Sequence, residues 1–296
     1  MILQKNVTDI NNAIRNLTKL HIQERLQDTL DIPPLSETAK QIISLRTSPS
    51  ASVEKLSAIV EMDPSLSAQI IGWASSAYYA APGKINSVHD AIVRVLGYDF
   101  VLNIASGIAI GGSLRVANQK EYWLKAVWTA TLADKLGTII CRTDKDFDKS
   151  VCYLAGLLHN FGYLIVCHVF TAYANSIQDR MSLSGEDRET IEQDILGVTG
   201  NQLSSSLLHE WGLPEVVTLS IAHQNDPLYV NGYSTISRLL NVSVQILKER
   251  GLYEGESCDY SELLEQLNID RESVDKIMES LLEKAEGINK IANDMI

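Results

Sequence analysis

Apolar residues fall three and four positions apart through nearly every long segment of the chain, and no run alternates strictly enough to make a half-buried strand. That spacing predicts an all-α fold. Helix starts are well marked. In MDPSLSAQIIGWASSAYY, Asp63 is placed to cap the helix, and Pro64 sits where a missing N–H costs nothing. In NSVHDAIVRVLG, Ser87 opens a Ser-x-x-Asp box and Gly97 supplies a left-handed stop. GLPEVVTLSIAH repeats the device with Pro214. Short polar loops are expected over Arg46–Ser52, Ala81–Asn86 and Arg142–Asp148.

Three zones follow from the same pattern. Residues 1–30 form an amphipathic helical leader that ends at DIPPL, and residues 31–228 are the densest in apolar periodicity. Residues 229–296 form a helical extension, acidic on one face, with the GESCD loop read as its flexible joint.

Composition narrows the function classes. The 296-residue chain is 45% hydrophobic and 21% charged, which suits a globular protein with a sizeable core. Its formal net charge of -12, with no dense basic patch, argues against nucleic acid and anionic lipid as partners. The smoothest apolar stretch, VLNIASGIAIGGSL, is too short to span a bilayer, and the N-terminus lacks a basic-then-apolar secretion pattern. Four scattered cysteines with no Cys-x-x-Cys spacing read as reduced packing residues. A cytoplasmic location is the expectation.

Candidate chemistry centres on YLAGLLHNFGYLIV, where an apolar run is interrupted by His159 and Asn160 and then bent by Gly162. Taken alone, a histidine on an apolar helix reads as a hydrogen-bonded core residue. A hydrolytic metal centre would need several imidazole and carboxylate ligands and an open position for water. No two of the six histidines have the i, i+4 spacing of a helical zinc site. Elsewhere, Gly107, Gly111 and Gly112 are read as close helix packing, Ser75 and Ser76 as core hydrogen bonding, and the four tryptophans as mostly core anchors. Glu186, Asp187, Glu189, Glu192 and Asp194 read as a solvated acidic face. Tyr78 and Tyr79, beside Pro82, lie near a loop where they could take part in a contact surface.

LAGLLHNFG resembles the GLLHDIG signature of the HD superfamily, whose His-Asp dyad binds metal in phosphohydrolases. The run from DIPPLSETAK through EMDPSLSAQIIGWASSAYYA resembles the opening of the HDOD branch of that superfamily. INSVHDAIVRVLG, EYWLKAVWTA and LLHEWGLPEVVTLSIAHQNDP match its later blocks in order, so the likeness covers residues 31–228. The resemblance implies an HD/HDOD-type multi-helix bundle acting in bacterial signal transduction. It also implies where a metal set would lie: the first ligand histidine falls at Lys125, the dyad at His159 and Asn160, a further histidine at Gly200, and the closing His-His pair at His223 and Gln224.

Carried over in this way, the set is degenerate. Only His159 and His223 remain as metal ligands, and the central carboxylate is an amide. A lysine ammonium about 4 Å from a divalent cation would oppose it by an energy on the order of several kcal/mol. Lys125 reads either as a solvated helix lysine or as filling the vacated space and donating to the Asn160 carbonyl or a nearby backbone oxygen. The expectation is therefore a pseudoenzyme with no catalytic residue, metal or other cofactor, which binds a protein partner of a signalling pathway or a nucleotide-like ligand. The alternative is a metal-dependent phosphohydrolase acting on a nucleotide or cyclic dinucleotide.

Overall fold

The computed structural model describes residues 34–79, 83–114, 116 and 119–295. The leader of residues 1–30 lies outside them. The all-α expectation holds: no strand occurs among the described residues.

The first helices are α1 (Glu37–Leu45), α2 (Val53–Glu61), α3 (Pro64–Ala74) and the short α4 (Val88–Ala91). Asp63 and Ser87 cap as the sequence predicts, and Ser36 and Ser52 add two caps it did not single out. Ser36, Ser52 and Ser87 each accept a first-turn N–H, and Asp63 accepts two, with Pro64 at the first helical position. A π-helical turn over Ile92–Leu96 then ends at Gly97, whose φ of 83° and ψ of 156° lie in a glycine-favouring region outside the left-handed helix well. Pro214 differs by one position from its expected place, being the N-cap of its helix rather than its first residue.

The centre of the fold is α6 (Gln119–Thr143), which follows α5 (Tyr98–Gly111) and buries residues along its whole length. Against it pack α7 (Cys152–Leu158), α13 (Ser234–Glu249) and α16 (Ala285–Asp294). The remaining helices are α8 (Phe161–Val169), α9 (Thr171–Ser184), α10 (Arg188–Ile195), α11 (Gly200–Glu210), α12 (Glu215–Ala222), α14 (Ser261–Gln266) and α15 (Arg271–Glu283). Glycines set two of the crossings. A Cβ on Gly156 would lie 2.6 Å from Ala130 Cα, and one on Gly162 would lie 2.0 Å from the Gly200 carbonyl oxygen. Gly107 and Gly111 likewise give room to Leu157 and Trp123, in keeping with the packing role read for them.

Helices beyond residue 228 are part of the same core. The Trp128 indole donates to Asn289 Oδ1 at 2.9 Å, and the Trp73 indole donates to Asp294 Oδ2 at 2.9 Å. The stretch Lys149–Val169 is apolar enough by composition to cross a membrane, but 78% of its 18-residue apolar window is buried inside the bundle, as in the core helix of a globular fold.

Candidate functional site

The turn between α7 and α8 places His159 and Asn160 where α6, α11 and the segment after α13 converge. Gly156 one turn earlier brings α7 onto the α6 backbone, so the His159 ring is driven into the core and is 4% exposed. Its Nδ1 lies 2.7 Å from the Gly156 carbonyl, which can only accept, so that nitrogen carries the proton. The lone pair on Nε2 then faces the Tyr253 hydroxyl at 3.2 Å. Tyr253 shares its own proton between this nitrogen and the Lys125 carbonyl at 3.0 Å, and its oxygen meets the buried Thr129 hydroxyl at 2.5 Å. Burial, assisted by the Lys125 charge, pushes the His159 pKa down to about 4. The ring is neutral and fully committed.

Around it, polar side chains bind one another. Gln224 is buried and donates to the His159 carbonyl at 2.8 Å and to Asn201 Oδ1 at 2.7 Å. Asn201 donates onward to Glu189, whose pKa is raised by desolvation. Gly200 opens α11, and its N–H donates to Glu192 Oε2 at 2.6 Å, so a carboxylate sits at that positive helix end. Glu192 is 2% exposed and paired with Arg188 at 2.6 Å. The solvated acidic face expected over residues 186–194 is thus wrong at Glu192, a buried strut, and at Glu189, which is half-buried.

Of the residues singled out in sequence, Lys125, His159, Asn160, Gly200 and Gln224 fall within this neighbourhood. His223 is not drawn in. Its ring stacks on Tyr229 at 4.0 Å with planes 5° apart, and its Nδ1 lies 3.8 Å from Asp226. Lys125 also departs from expectation, because its ammonium pairs with Glu121 at 2.5 Å, and with Glu254 at 4.0 Å, instead of donating to Asn160 or a backbone oxygen. Glu121 stands one turn back on the same helix face, where an i, i+4 carboxylate and ammonium meet. Lys125 and Asn160 line one cleft of about 380 Å³, together with Tyr163, Arg188 and Glu254. Arg188 stacks over the Tyr163 ring at 4.9 Å.

Tyr253 and Glu254 escape a sequence reading because they lie outside the motif blocks, nearly a hundred residues from His159. The only local signal is a tyrosine in a polar loop.

A metal does not fit this arrangement. The one imidazole nitrogen that could ligate is covered by Tyr253, the dyad partner is a neutral amide, and His223 is engaged elsewhere. Among the described residues, no three His, Cys, Asp or Glu side chains gather to hold an ion.

Residues 32–227 match the family model of the HDOD domain. A structure from Marinobacter aquaeolei VT8, a candidate signal transduction protein by name, is 36% identical with a TM-score of 0.83 over 96% of this chain. This chain spans 66% of the length of that one. A structure from Shewanella amazonensis SB2B, named as a candidate phosphohydrolase, is 19% identical with a TM-score of 0.72, covering 92% of this chain and 98% of its own. An HDOD domain protein of unknown function from Geobacter sulfurreducens is 15% identical with a TM-score of 0.70, covering 94% of this chain and 98% of its own. At such identities the last two show the shared fold. The search of curated proteins returns no match.

Proposed function

The chain belongs to the HDOD domain family, and on that premise we propose that it is a non-catalytic signalling protein that works by binding a partner protein or a small regulatory ligand. The observation that carries this reading is the His159 ring, whose two nitrogens are both spent inside the protein, on Gly156 and on Tyr253. A metal-dependent hydrolase of this fold would need that ring free and a carboxylate beside it. Here the neighbouring position is Asn160, and the nearest cation, Lys125, is held by Glu121 at the edge of the cleft. That cleft keeps the shape of a binding site. Its lining mixes two cations, two carboxylates and several amides and hydroxyls, and it is suited to hold a polar group without transforming it.

Metal analysis of the purified protein, paired with nucleotide hydrolysis assays, tests the reading. Substoichiometric iron, manganese and zinc without turnover is the expected result. One firmly bound metal per chain, with hydrolysis lost in His159→Ala, would overturn it.

A further inference from the structure

A second cleft lies away from His159 and shares no lining residue with the first. Its inner chamber, about 340 Å³, is walled by the start of α5, the middle of α6 and the turn leading into α7. Past Tyr78, Tyr79 and Lys135, which line both spaces, lies an outer chamber of about 390 Å³ on α15.

Three features of this cleft point to a ligand. The first is a chain of edge-to-face rings along the wall. Tyr78 meets Tyr79 at 4.6 Å, Tyr79 meets Phe100 at 6.0 Å, and Phe100 meets Tyr153 at 5.1 Å. The second is charge. In a chain of net charge -12, the lining carries Lys135, Lys149, Lys276 and Lys284 beside Asp99 and Asp134. Lys149 and Lys135 lie 3.4 Å and 3.9 Å from Asp134, and Lys276 pairs with Glu272 at 2.6 Å, so a phosphate entering here would compete with those carboxylates. Behind the wall, the Arg46 guanidinium donates to Asn103, adding a further cation. The third is unsatisfied polarity. The Tyr98 and Tyr153 hydroxyls are buried with no hydrogen-bond partner, and both residues line the inner chamber. The Thr131 hydroxyl beside Tyr153 donates its proton to the Val127 carbonyl at 2.7 Å. Buried hydroxyls in native proteins are normally paired, so two orphans in one cleft mark places where another molecule's polar atoms belong.

We propose that this two-chambered cleft binds a small anion built on a planar ring, in chemical class a nucleoside phosphate. The ring lies along the tyrosine and phenylalanine wall, its polar edge meets the Tyr153 hydroxyl, and the phosphate sits among Lys135, Lys276 and Lys284. This site goes beyond the binding role proposed above and stands whether or not the His159 region is inert.

Calorimetric titration of the full chain with AMP and GMP, without added metal, tests it. Inorganic phosphate and adenosine serve as the separate halves of the ligand. At least one nucleotide is expected to bind more tightly than either half. Affinity should fall about tenfold in a Lys135→Gln, Lys284→Gln double variant, as for the loss of charge-assisted bonds. It should also weaken in Tyr153→Phe, which keeps the ring and removes only an unpaired hydroxyl. Lys125→Gln, in the other cleft, should leave it unchanged. No binding of AMP or GMP in the millimolar range would overturn the proposal. So would phosphate alone binding as tightly, affinity unaffected by the lysine exchanges or by Tyr153→Phe, or affinity lost in Lys125→Gln.

Discussion

His159 is a pH-sensitive element of stability. Its pKa is near 4 when folded, against an ordinary value of 6.5, so the unfolded chain takes up a proton that the folded chain refuses. Its contribution is complete above pH 6.5 and is lost as pH falls toward 4, with a ceiling of about 3 kcal/mol. Urea unfolding of the native protein and of His159→Gln should therefore converge as pH falls through that window, and a difference independent of pH would contradict this account. Tyr253→Phe removes the hydroxyl that meets both His159 Nε2 and Thr129, leaving buried polar groups unpaired. We expect a loss of about 1–3 kcal/mol at neutral pH, read as a lower urea midpoint at constant m-value. At this scale the sequence was half legible. The dyad position and its missing carboxylate stand in the local pattern at residues 159 and 160. The partner of the ring does not, since a hydrogen bond between residues 159 and 253 leaves no periodic trace in either segment. Lys125 shows the same limit: its position was readable, but its choice of Glu121 over Asn160 depends on side-chain direction.

Between helices, the decisive residues are those that allow close approach. Gly162 meets the Gly200 backbone, and its own N–H donates to Ser204 Oγ, so α8 and the start of α11 touch main chain to main chain. A methyl group there has nowhere to go, because the obstacle is backbone. Gly162→Ala should cost about 3 kcal/mol or more, measured by chemical denaturation. Gly72, in the interior of α3, faces open space, so Gly72→Ala should stabilise by about 0.5–1 kcal/mol through helix propensity alone. Comparable losses in the two variants would refute the backbone-contact explanation. The sequence marked helix starts well here because a cap is a local device: Asp63 and Ser87 each act within three residues. It did not separate packing glycines from idle ones, because Gly72 and Gly162 both sit in apolar helical contexts.

Across the whole molecule, the helices after residue 228 complete the core rather than extend from it. The inner face of α13 buries Leu239, Leu240, Val242, Ile246 and Leu247, and α16 lies along α6 with its last turn tied to Trp73. Ending the chain after residue 228 should therefore abolish cooperative unfolding and expose dye-binding apolar surface; a truncated chain that melts sharply would show that the first two thirds fold alone. The motif resemblance ended at residue 228 because the recognisable blocks end there, while the periodicity of the later helices announced apolar faces without saying what they cover. Their closure onto Trp73 and Trp128 has a bearing on biosynthesis. Residues around position 73 leave the ribosome long before those around position 294, and the two must meet before the core is sealed. Until α16 emerges, the nascent polypeptide presents an unfinished apolar surface.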